Sequence, residues 1–324
     1  MRSIQTQQTV PLSSVKPLEG LVGYRAHCLE ATRQALRGGA RRRERSPVTG
    51  SRLQPYGLVD EIAYGRCPDS GSLFMAELPE PAVWARLLAE VSQYRHSAEA
   101  FHAGLARSRA EHVYTPKVEW IEEALQLQEV HRPSLLEVCS GSSDFTRLLQ
   151  ESGSFAEVLT ADESALAMAS GREGAGQPRV QAAVLLESLD RAHDPEALVR
   201  AVAGRLVEGG LLFVTALVAS GFDLAVLGAQ NLYLYPPDRA NCFTVQGLST
   251  LLRRAGLTLL EVSTPGVLDV EIVRAHLQYD PSLSLSAFER QLVQADQATQ
   301  EAFQTFLQQQ GFSSFARIVT RKER

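Results

Sequence analysis

Residues 135–145 read Leu-Leu-Glu-Val-Cys-Ser-Gly-Ser-Ser-Asp-Phe. The apolar run that closes with Glu137 predicts a buried strand, and Asp144 and Phe145 open a helix. Between them, Gly141 and its neighbouring serines let the backbone come close to a ligand. A strand, a small-residue turn and a helix in this order are typical of the ligand-holding edge of a doubly wound α/β domain.

The rest of the chain continues this alternation of strand and helix. Strands are predicted at residues 157–162, 180–186, 211–215, 257–262 and 314–320, and helices at residues 164–169, 196–206, 244–255 and 287–309. Such an alternation predicts an α/β fold with a mostly parallel sheet, in which the last hairpin is antiparallel.

Composition limits the class of protein. The chain has 324 residues, of which 44% are hydrophobic, so it can form one large domain with an appendage or two domains. A formal net charge of -5 argues against a nucleic-acid binder. The four cysteines are widely spaced, which favours a reducing compartment. With no signal core and no apolar run of membrane-spanning length, we expect a soluble, cytoplasmic protein that binds no membrane.

Two short turns near the N-terminus have the same design. Each has four residues followed by glycine, and their end positions are Ser46 and Thr49 in the first turn and Cys67 and Ser70 in the second. The pair resembles a zinc ribbon, whose two Cys-x-x-Cys-Gly turns supply four thiolates. Because hydroxyls are poor zinc ligands, we expect a degenerate ribbon without zinc. The basic run before it, at residues 41–45, is predicted to be a solvated linker.

Several motifs in series resemble one enzyme family. Residues 137–143 resemble its acidic-x-Gly-x-Gly-x-Gly motif, with Cys139 and Ser143 in place of two glycines. Residues 187–195, 206–212 and 236–244 resemble its Glu-x-Leu-Glu-His-x-x-Asp-Pro, Leu-x-Pro-Gly-Gly and Pro-Pro-Asp-His-x-Asn-Phe-Phe-Thr elements. In this order and spacing, over roughly residues 46–322, the chain resembles class I S-adenosylmethionine (SAM) dependent methyltransferases that carry an N-terminal zinc ribbon and act on sugars or other small molecules.

The resemblance implies a Rossmann-like class I methyltransferase fold and a division of the chain. We expect a helical and linker segment at residues 1–45, the degenerate ribbon at 46–78, connecting helices at 79–112 and the methyltransferase-like domain at 113–324.

The resemblance also implies which residues bind SAM. The first motif would hold the methionine part through Glu137, Gly141, Ser143 and Asp144, and the acid that ends the second strand, Asp162, would bind the ribose hydroxyls. Asp162 could instead cap the next helix. A further acid, Glu187, could approach the cofactor or be a solvated residue at the rim.

Candidate catalytic residues follow the fourth and fifth strands. The family's two histidines are Arg191 and Arg239 here, and arginine cannot act as a base because it stays protonated. His193 is therefore the candidate base, although a histidine at a helix entrance is more often structural. The methyl acceptor would lie near a second group of candidates, Tyr235, Asp238 and Asn241.

Two functions remain open. The chain could transfer a methyl group from SAM to a sugar or natural-product intermediate, or it could be an inactive relative that serves as a scaffold or regulatory subunit for a protein partner. The second is favoured by the lost glycines and by the short segment between Asp162 and Val180, which leaves no room for the family's third strand. An inactive relative should fill its cofactor mouth with its own side chains, from Arg239, Arg191 or residues 171–178, and should expose apolar surface on its N-terminal helices.

Overall fold

The computed structural model describes residues 12–15, 18–97, 107–139, 143–169 and 178–323. Its strands are β1 (Ala40–Arg42), β2 (Gln54–Val59), β3 (Ile62–Arg66), β4 (Leu73–Met75), β5 (Glu77–Pro79), β6 (Ser134–Val138), β7 (Glu157–Ala161), β8 (Val180–Leu186), β9 (Leu206–Leu217), β10 (Asn241–Cys242), β11 (Leu257–Ser263) and β12 (Phe315–Lys322).

Helices lie between most of these strands. They are α1 (Leu12–Val15), α2 (Leu18–Arg37), α3 (Pro81–Ser97), α4 (Thr115–Leu127), α5 (Asp144–Glu151), α6 (Glu163–Ala169), α7 (Ser188–Arg191), α8 (Pro195–Arg205), α9 (Phe222–Leu227), α10 (Val245–Arg254), α11 (Asp269–Tyr279), α12 (Ala287–Val293) and α13 (Gln297–Gln310). A π-helical turn, Ala110–Tyr114, precedes α4. None of the described helices combines the length and apolarity needed to cross a membrane.

A six-stranded sheet forms the centre of the fold, in the order β11-β12-β9-β8-β6-β7. Strands β7, β6, β8 and β9 are parallel, whereas β12 is antiparallel to both β9 and β11. The mostly parallel sheet with an antiparallel last hairpin is therefore confirmed. Strands β6, β8 and β9 are rich in Leu, Val and Ala and are buried almost throughout, as central strands covered on both faces must be.

Helices cover both faces of this sheet. On one face, Trp120 and Ile121 of α4 and Phe145 and Leu149 of α5 pack in one apolar cluster with residues of β6, β8 and β9. On the other face, α6, α8 and α10 contribute Leu166, Leu198, Leu248 and others to a second cluster. The chain runs from β6 outward to β7 and then returns past β6 to β8, so the strand order reverses between β6 and β8. Open α/β sheets bind ligands outside the carboxyl ends of the strands at such a point.

The predicted absence of the family's third strand concerns the outer edge of the sheet. Within the described ranges, β7 is the edge strand, and its exposed Glu157 and Thr160 suit that position. Helix α6 follows β7 and packs against α8 on the face opposite α5. The predicted glycine-rich loop at residues 171–177 lies outside the described residues.

Local sequence explains where several helices begin and end. Helix α8 begins at Pro195 and is capped by Asp194, whose carboxylate accepts the Ala197 N–H at 3.0 Å. Helix α10 ends before Gly256, which has a φ of 75°, a left-handed conformation that glycine adopts at little cost. Helix α2, Leu18–Arg37, lies within the segment predicted to be helix and linker.

The N-terminal half is joined to the large sheet by a second sheet. Strands β2, β3 and β4 form an antiparallel ribbon, and β10, from the predicted substrate-binding element, pairs with β4. Tyr64 and Trp84 share an apolar cluster with Tyr235 and Val273, so these regions are packed together. The predicted domain boundaries at residues 45, 78 and 112 stay predictions.

The two short turns of the ribbon are matched in their bonding. Ser46 and Cys67 each accept the N–H of the glycine four residues on, Gly50 and Gly71, at 2.9 and 2.8 Å. The hydroxyl of Thr49 lies 3.3 Å from Cys67 Sγ. Burial raises the pKa of the Cys67 thiol, but hydrogen bonds with three surrounding hydroxyls outweigh burial and lower it; they come from Ser46, Ser70 and Thr49.

Three substitutions are expected to turn this hydroxyl cluster into a metal site. Because Ser46, Thr49 and Ser70 surround Cys67 Sγ, the triple Cys variant should bind one Co²⁺ or Zn²⁺ in a tetrahedral tetrathiolate site. Titration followed by the Co²⁺–thiolate absorption band measures this. The matched control is the natural chain, expected to contain no stoichiometric zinc by elemental analysis. A triple variant that binds no metal, or a natural chain with about one zinc, contradicts the interpretation.

Candidate functional site

The candidate site is the surface above the carboxyl ends of β6, β7 and β8, which we call the mouth. It is bounded by Glu137 at the end of β6, Glu163 at the start of α6, Glu187 after β8 and Arg239 in the segment before β10. Among described residues, no group of three or more His, Cys, Asp or Glu side chains is placed to hold a metal ion.

Glu137 and Ser143, both in the first motif, meet in the mouth. Glu137 is buried and accepts hydrogen bonds from the hydroxyls of Ser143, at 2.8 Å, and Thr146. Ser143 and Thr146 also cap α5 reciprocally. Burial raises the pKa of Glu137, although these hydrogen bonds oppose the rise. Both carboxylate oxygens of Glu137 therefore accept hydrogen bonds from the two side chains that cap α5.

The other residues of this turn have different positions. Asp144 is exposed on the first turn of α5, 4.0 Å from Arg147. Gly141 lies outside the described residues. Burial, followed by the neighbouring Glu137, raises the pKa of the Cys139 thiol to about 12, so the thiol is protonated at neutral pH and is no nucleophile.

Asp162 is exposed at the end of β7. Its Oδ1 accepts the N–H groups of Ser164 and Ala165, both at 3.0 Å, so it caps α6. This is the structural alternative weighed for Asp162, and the ribose role stays a prediction. The next residue, Glu163, is buried and holds Arg191 with three N–O distances of 2.9, 3.1 and 2.6 Å.

Glu187 lies after β8 in a left-handed conformation, with a φ of 57°. Its carboxylate lies between two cations: Oε2 is 2.6 Å from Arg239 Nη2 and Oε1 is 3.6 Å from Lys117 Nζ. The Glu187 carboxylate is therefore paired with two cations, and its approach to the cofactor stays a prediction.

Arg239 is held by several groups at once. Its Nη1 donates to the Asp238 carbonyl at 2.9 Å, and its Nε lies 3.6 Å from the carboxylate of Asp190. Burial lowers the pKa of Arg239, but Glu187, Asp190 and Asp238 outweigh burial and raise it. Asp190 is fully buried and accepts the Leu217 N–H at 3.0 Å. Burial raises the pKa of Asp190 to about 8, against the opposing effect of Arg239.

The candidate base, His193, lies at the edge of the mouth. Its Nε2 is 2.9 Å from the Pro79 carbonyl, which can only accept, so Nε2 carries the proton. Burial lowers the pKa of His193. Its imidazole is therefore neutral at neutral pH and joins the loop after α7 to the end of β5.

The other three catalytic candidates are buried in hydrogen-bond networks. Asn241 donates to the Leu189 and Ala192 carbonyls, both at 2.8 Å, and its Oδ1 accepts from Arg43 at 2.7 Å. Asp238 accepts from the hydroxyls of Tyr235 and Tyr24, at 3.3 and 3.4 Å. The structure thus brings Tyr235 and Asp238 together and engages Asn241 with Arg43 and two main-chain carbonyls, and the catalytic role of the three stays a prediction.

Three residues at the mouth were missed from the sequence. Tyr24 lies on α2, Arg43 lies in the basic run predicted to be a solvated linker, and Lys117 lies on α4. Each is far along the chain from its partner, so no local pattern could identify it. Lys117 lies on the first turn of α4, directly after the helix-opening Thr115-Pro116.

Asn241→Ala is expected to destabilise the fold by about 3 kcal/mol, because it leaves Arg43 and two buried carbonyls without their partner. Urea unfolding measures the change. The control is Gln309→Ala on the exposed side of α13, expected to change stability by less than about 0.5 kcal/mol. Equal stability of the two variants would show that the Asn241 bonds contribute nothing.

Asp190→Asn is expected to change how stability depends on pH. Asp190 has a pKa of about 8 in the folded chain and about 3.9 when unfolded, so the folded chain binds more protons between these values. The natural chain should therefore lose stability relative to the variant as pH rises from 4 to 8, since Asn mimics the protonated carboxyl and does not titrate. Unfolding free energies at several pH values measure this. A difference that stays constant over this range would show that Asp190 is ionised throughout.

The chain was compared with known proteins. A family model described as a methyltransferase domain matches residues 82–262, which is more than half of the chain. No curated protein matches the chain.

Solved structures give further similarities. A 1,6-didemethyltoxoflavin-N1-methyltransferase from Burkholderia thailandensis, with bound 1,6-didemethyltoxoflavin and S-adenosylhomocysteine, is 14% identical, with 84% of this chain and 100% of that chain covered and a TM-score of 0.41. A SAM-dependent methyltransferase from Mesorhizobium loti is 18% identical, with 63% and 98% covered and a TM-score of 0.37. Another from Thermotoga maritima is 13% identical, with 70% and 99% covered and a TM-score of 0.38.

The family model and the sheet lead to one conclusion. The matched residues include β6, β7, β8 and β9, the parallel strands whose carboxyl ends form the mouth. The chain therefore belongs to the class I SAM-dependent methyltransferase family.

Proposed function

We propose that this chain is a non-catalytic member of its family, which acts as a scaffold or regulatory subunit for a protein partner. The observation that carries the proposal is that two ion pairs of the chain's own side chains, Arg191–Glu163 and Arg239–Glu187, bridge the carboxyl ends of the strands where the family binds SAM.

The first pair spans the end of β6. Arg191 follows β8 and Glu163 follows β7, and β6 lies between these two strands in the sheet. The Glu163 side chain is only 4% exposed, and Arg191 binds both of its oxygens. Separating such a pair leaves a buried carboxylate without its counter-charge, which typically costs about 3–5 kcal/mol. A ligand lying across this edge would have to overcome that cost.

The second pair belongs to the half of the mouth where methyl transfer would occur. Arg239 occupies the position of a family histidine and binds Glu187, and Glu187 also faces Lys117. Among the four catalytic candidates, His193 and Asn241 bind main-chain carbonyls and Asp238 binds two tyrosine hydroxyls. These contacts support a structural role for groups that would face the substrate in an active relative.

The first motif also supports the proposal. In the family its backbone cradles the methionine part of SAM, whereas here the Ser143 and Thr146 side chains bind both oxygens of Glu137. We infer that SAM is a poor fit to a mouth built in this way, and we derive no reaction step through it.

Exposed large apolar side chains among the described residues include three on or just after α12 and α13, Phe288, Phe306 and Phe312, at 67%, 46% and 51% exposure. Others lie elsewhere, at Leu58, Leu127 and Tyr279. Of the side chains described on α2 and α3, Tyr94 is the one large apolar side chain that is exposed. A partner-binding surface on the C-terminal helices therefore suits the proposal better than one on the N-terminal helices.

The second candidate is SAM-dependent methylation of a sugar or natural-product intermediate. It is favoured by the family model and by the positions of Glu137 and Asp162 at the ends of neighbouring strands, where the family holds the methionine part and the ribose. Asp162 is exposed, so its carboxylate is accessible to a ligand while it caps α6.

Calorimetry with SAM and with S-adenosylhomocysteine separates the two candidates. We expect a Kd weaker than about 1 mM for the natural chain, about 4 kcal/mol less favourable than a Kd of 1 μM. This gap is the size of the cost of breaking one buried ion pair. A Kd of about 1 μM or below would overturn the scaffold proposal and establish the second candidate's cofactor site.

A matched pair of variants controls for the cause. Glu163→Gln with Arg191→Gln removes the charges of the pair that spans β6 and should strengthen S-adenosylhomocysteine binding. Arg147→Gln, which removes an exposed ion pair with Glu151 on α5, should leave binding unchanged. Equal effects of the two changes would show that the mouth is not closed by the Arg191–Glu163 pair.

A further inference from the structure

We propose that Lys117 and Arg239 form a carboxylate-binding site that Glu187 fills from within the chain, and that a carboxylate-bearing ligand binds there when Glu187 moves aside. This goes beyond the scaffold proposal, because it assigns a ligand chemistry to the mouth.

Two cations from distant segments converge on one carboxylate. Lys117 lies at the start of α4 and Arg239 lies in the segment before β10, and their nitrogens lie 3.6 and 2.6 Å from the two oxygens of Glu187. An arrangement with one cation on each carboxylate oxygen can bind any carboxylate that extends between the two cations, whichever molecule supplies it.

The two cations are largely withdrawn from water. The side chains of Lys117 and Arg239 are 5% and 14% exposed, and the ammonium of Lys117 lies 5.2 Å from the centre of the Phe315 ring. A buried cation needs a counter-charge, and the attraction of an aromatic ring supplies only part of it. The site therefore requires an anion in the folded chain.

Arg239 keeps its position without Glu187. Its Nη1 donates to the Asp238 carbonyl, its Nε faces Asp190, and its own carbonyl accepts the hydroxyl of Tyr64 at 2.8 Å. None of these three contacts involves Glu187. Removal of the Glu187 side chain should therefore leave a preformed site rather than a collapsed one.

Glu187 is the part of this cluster that is easiest to displace. Its side chain is 31% exposed, against 4% for Glu163 in the neighbouring ion pair. Its φ of 57° is unfavourable for a residue with a Cβ, by about 1 kcal/mol. Movement of the Glu187 side chain separates a partly exposed pair, whereas movement of Glu163 would separate a buried one.

The test uses Glu187→Gly, which empties the site and also relieves the left-handed backbone, so that the variant is expected to fold. Sodium acetate should raise its Tm in a saturable way relative to sodium chloride at equal ionic strength, since a ligand that binds only the folded chain stabilises it. The isosteric control, Glu187→Gln, fills the space without charge and should show no acetate effect. Adding Lys117→Met to Glu187→Gly should reduce the effect.

A second arm identifies the source of the carboxylate. S-adenosylhomocysteine carries an amino-acid carboxylate, and 5′-methylthioadenosine shares its nucleoside but lacks that group. If the first binds the Gly variant at least about tenfold tighter, the cofactor supplies the carboxylate; equal binding together with the acetate effect indicates a separate acid.

The absence of an acetate effect on a folded Gly variant overturns this proposal and leaves the scaffold proposal intact. Tight SAM binding by the natural chain overturns the scaffold proposal and leaves the carboxylate-site proposal intact.

Discussion

Arg239 joins three parts of the chain that are far apart in sequence: its own segment before β10, the segment after β8 and the ribbon. Its guanidinium binds Glu187 and faces the fully buried Asp190 of α7, and its main-chain carbonyl accepts the hydroxyl of Tyr64. Arg239 keeps a permanent positive charge beside Glu187, whereas burial raises the pKa of Asp190 to about 8 and keeps it mostly protonated near neutral pH. Where the family has a histidine, this chain therefore has a residue that cannot exchange a proton but can hold the mouth together.

The N-terminal region reinforces the same place. Trp84 of α3 donates to the Arg191 carbonyl at 2.9 Å, Pro79 of β5 accepts from His193, and Arg43 binds both Asn241 and the His193 carbonyl. These contacts join the loops that carry the predicted catalytic residues to the ribbon and to α3. Burial lowers the pKa of Arg43 to about 10, well above neutrality, so this contact stays charged.

Much of the fold was accessible from the sequence because it depends on local patterns. Three kinds of signal each act over a few residues: the apolar runs of the buried strands, the Asp194-Pro195 cap and the glycine stop at Gly256. The short segment after Asp162 predicts by its length that the family's third strand is missing or vestigial, and this stays a prediction because residues 170–177 lie outside the described ranges. Within the site, the meeting of Glu137 with Ser143 was predictable because six residues separate them.

The rest depends on contacts over long separations. Arg43 and Asn241 are 198 residues apart and Tyr24 and Asp238 are 214 apart, so neither pair leaves a periodic trace in one sequence. Residue type also does not reveal these contacts: His193 and Asn241 fit a catalytic set by type, and in the structure they bind main-chain carbonyls. The choice between Asp162 as a helix cap and as a ribose ligand stays open, because an exposed carboxylate can serve both.

The central claim is that the mouth of this methyltransferase family member is occupied by its own charged side chains. A crystal structure from crystals grown with S-adenosylhomocysteine in large excess tests it most directly. The account predicts that Arg191–Glu163 and Arg239–Glu187 remain at hydrogen-bond distance, with only ordered water above the carboxyl end of β6. Nucleoside density in that place, with the two pairs separated, would contradict it.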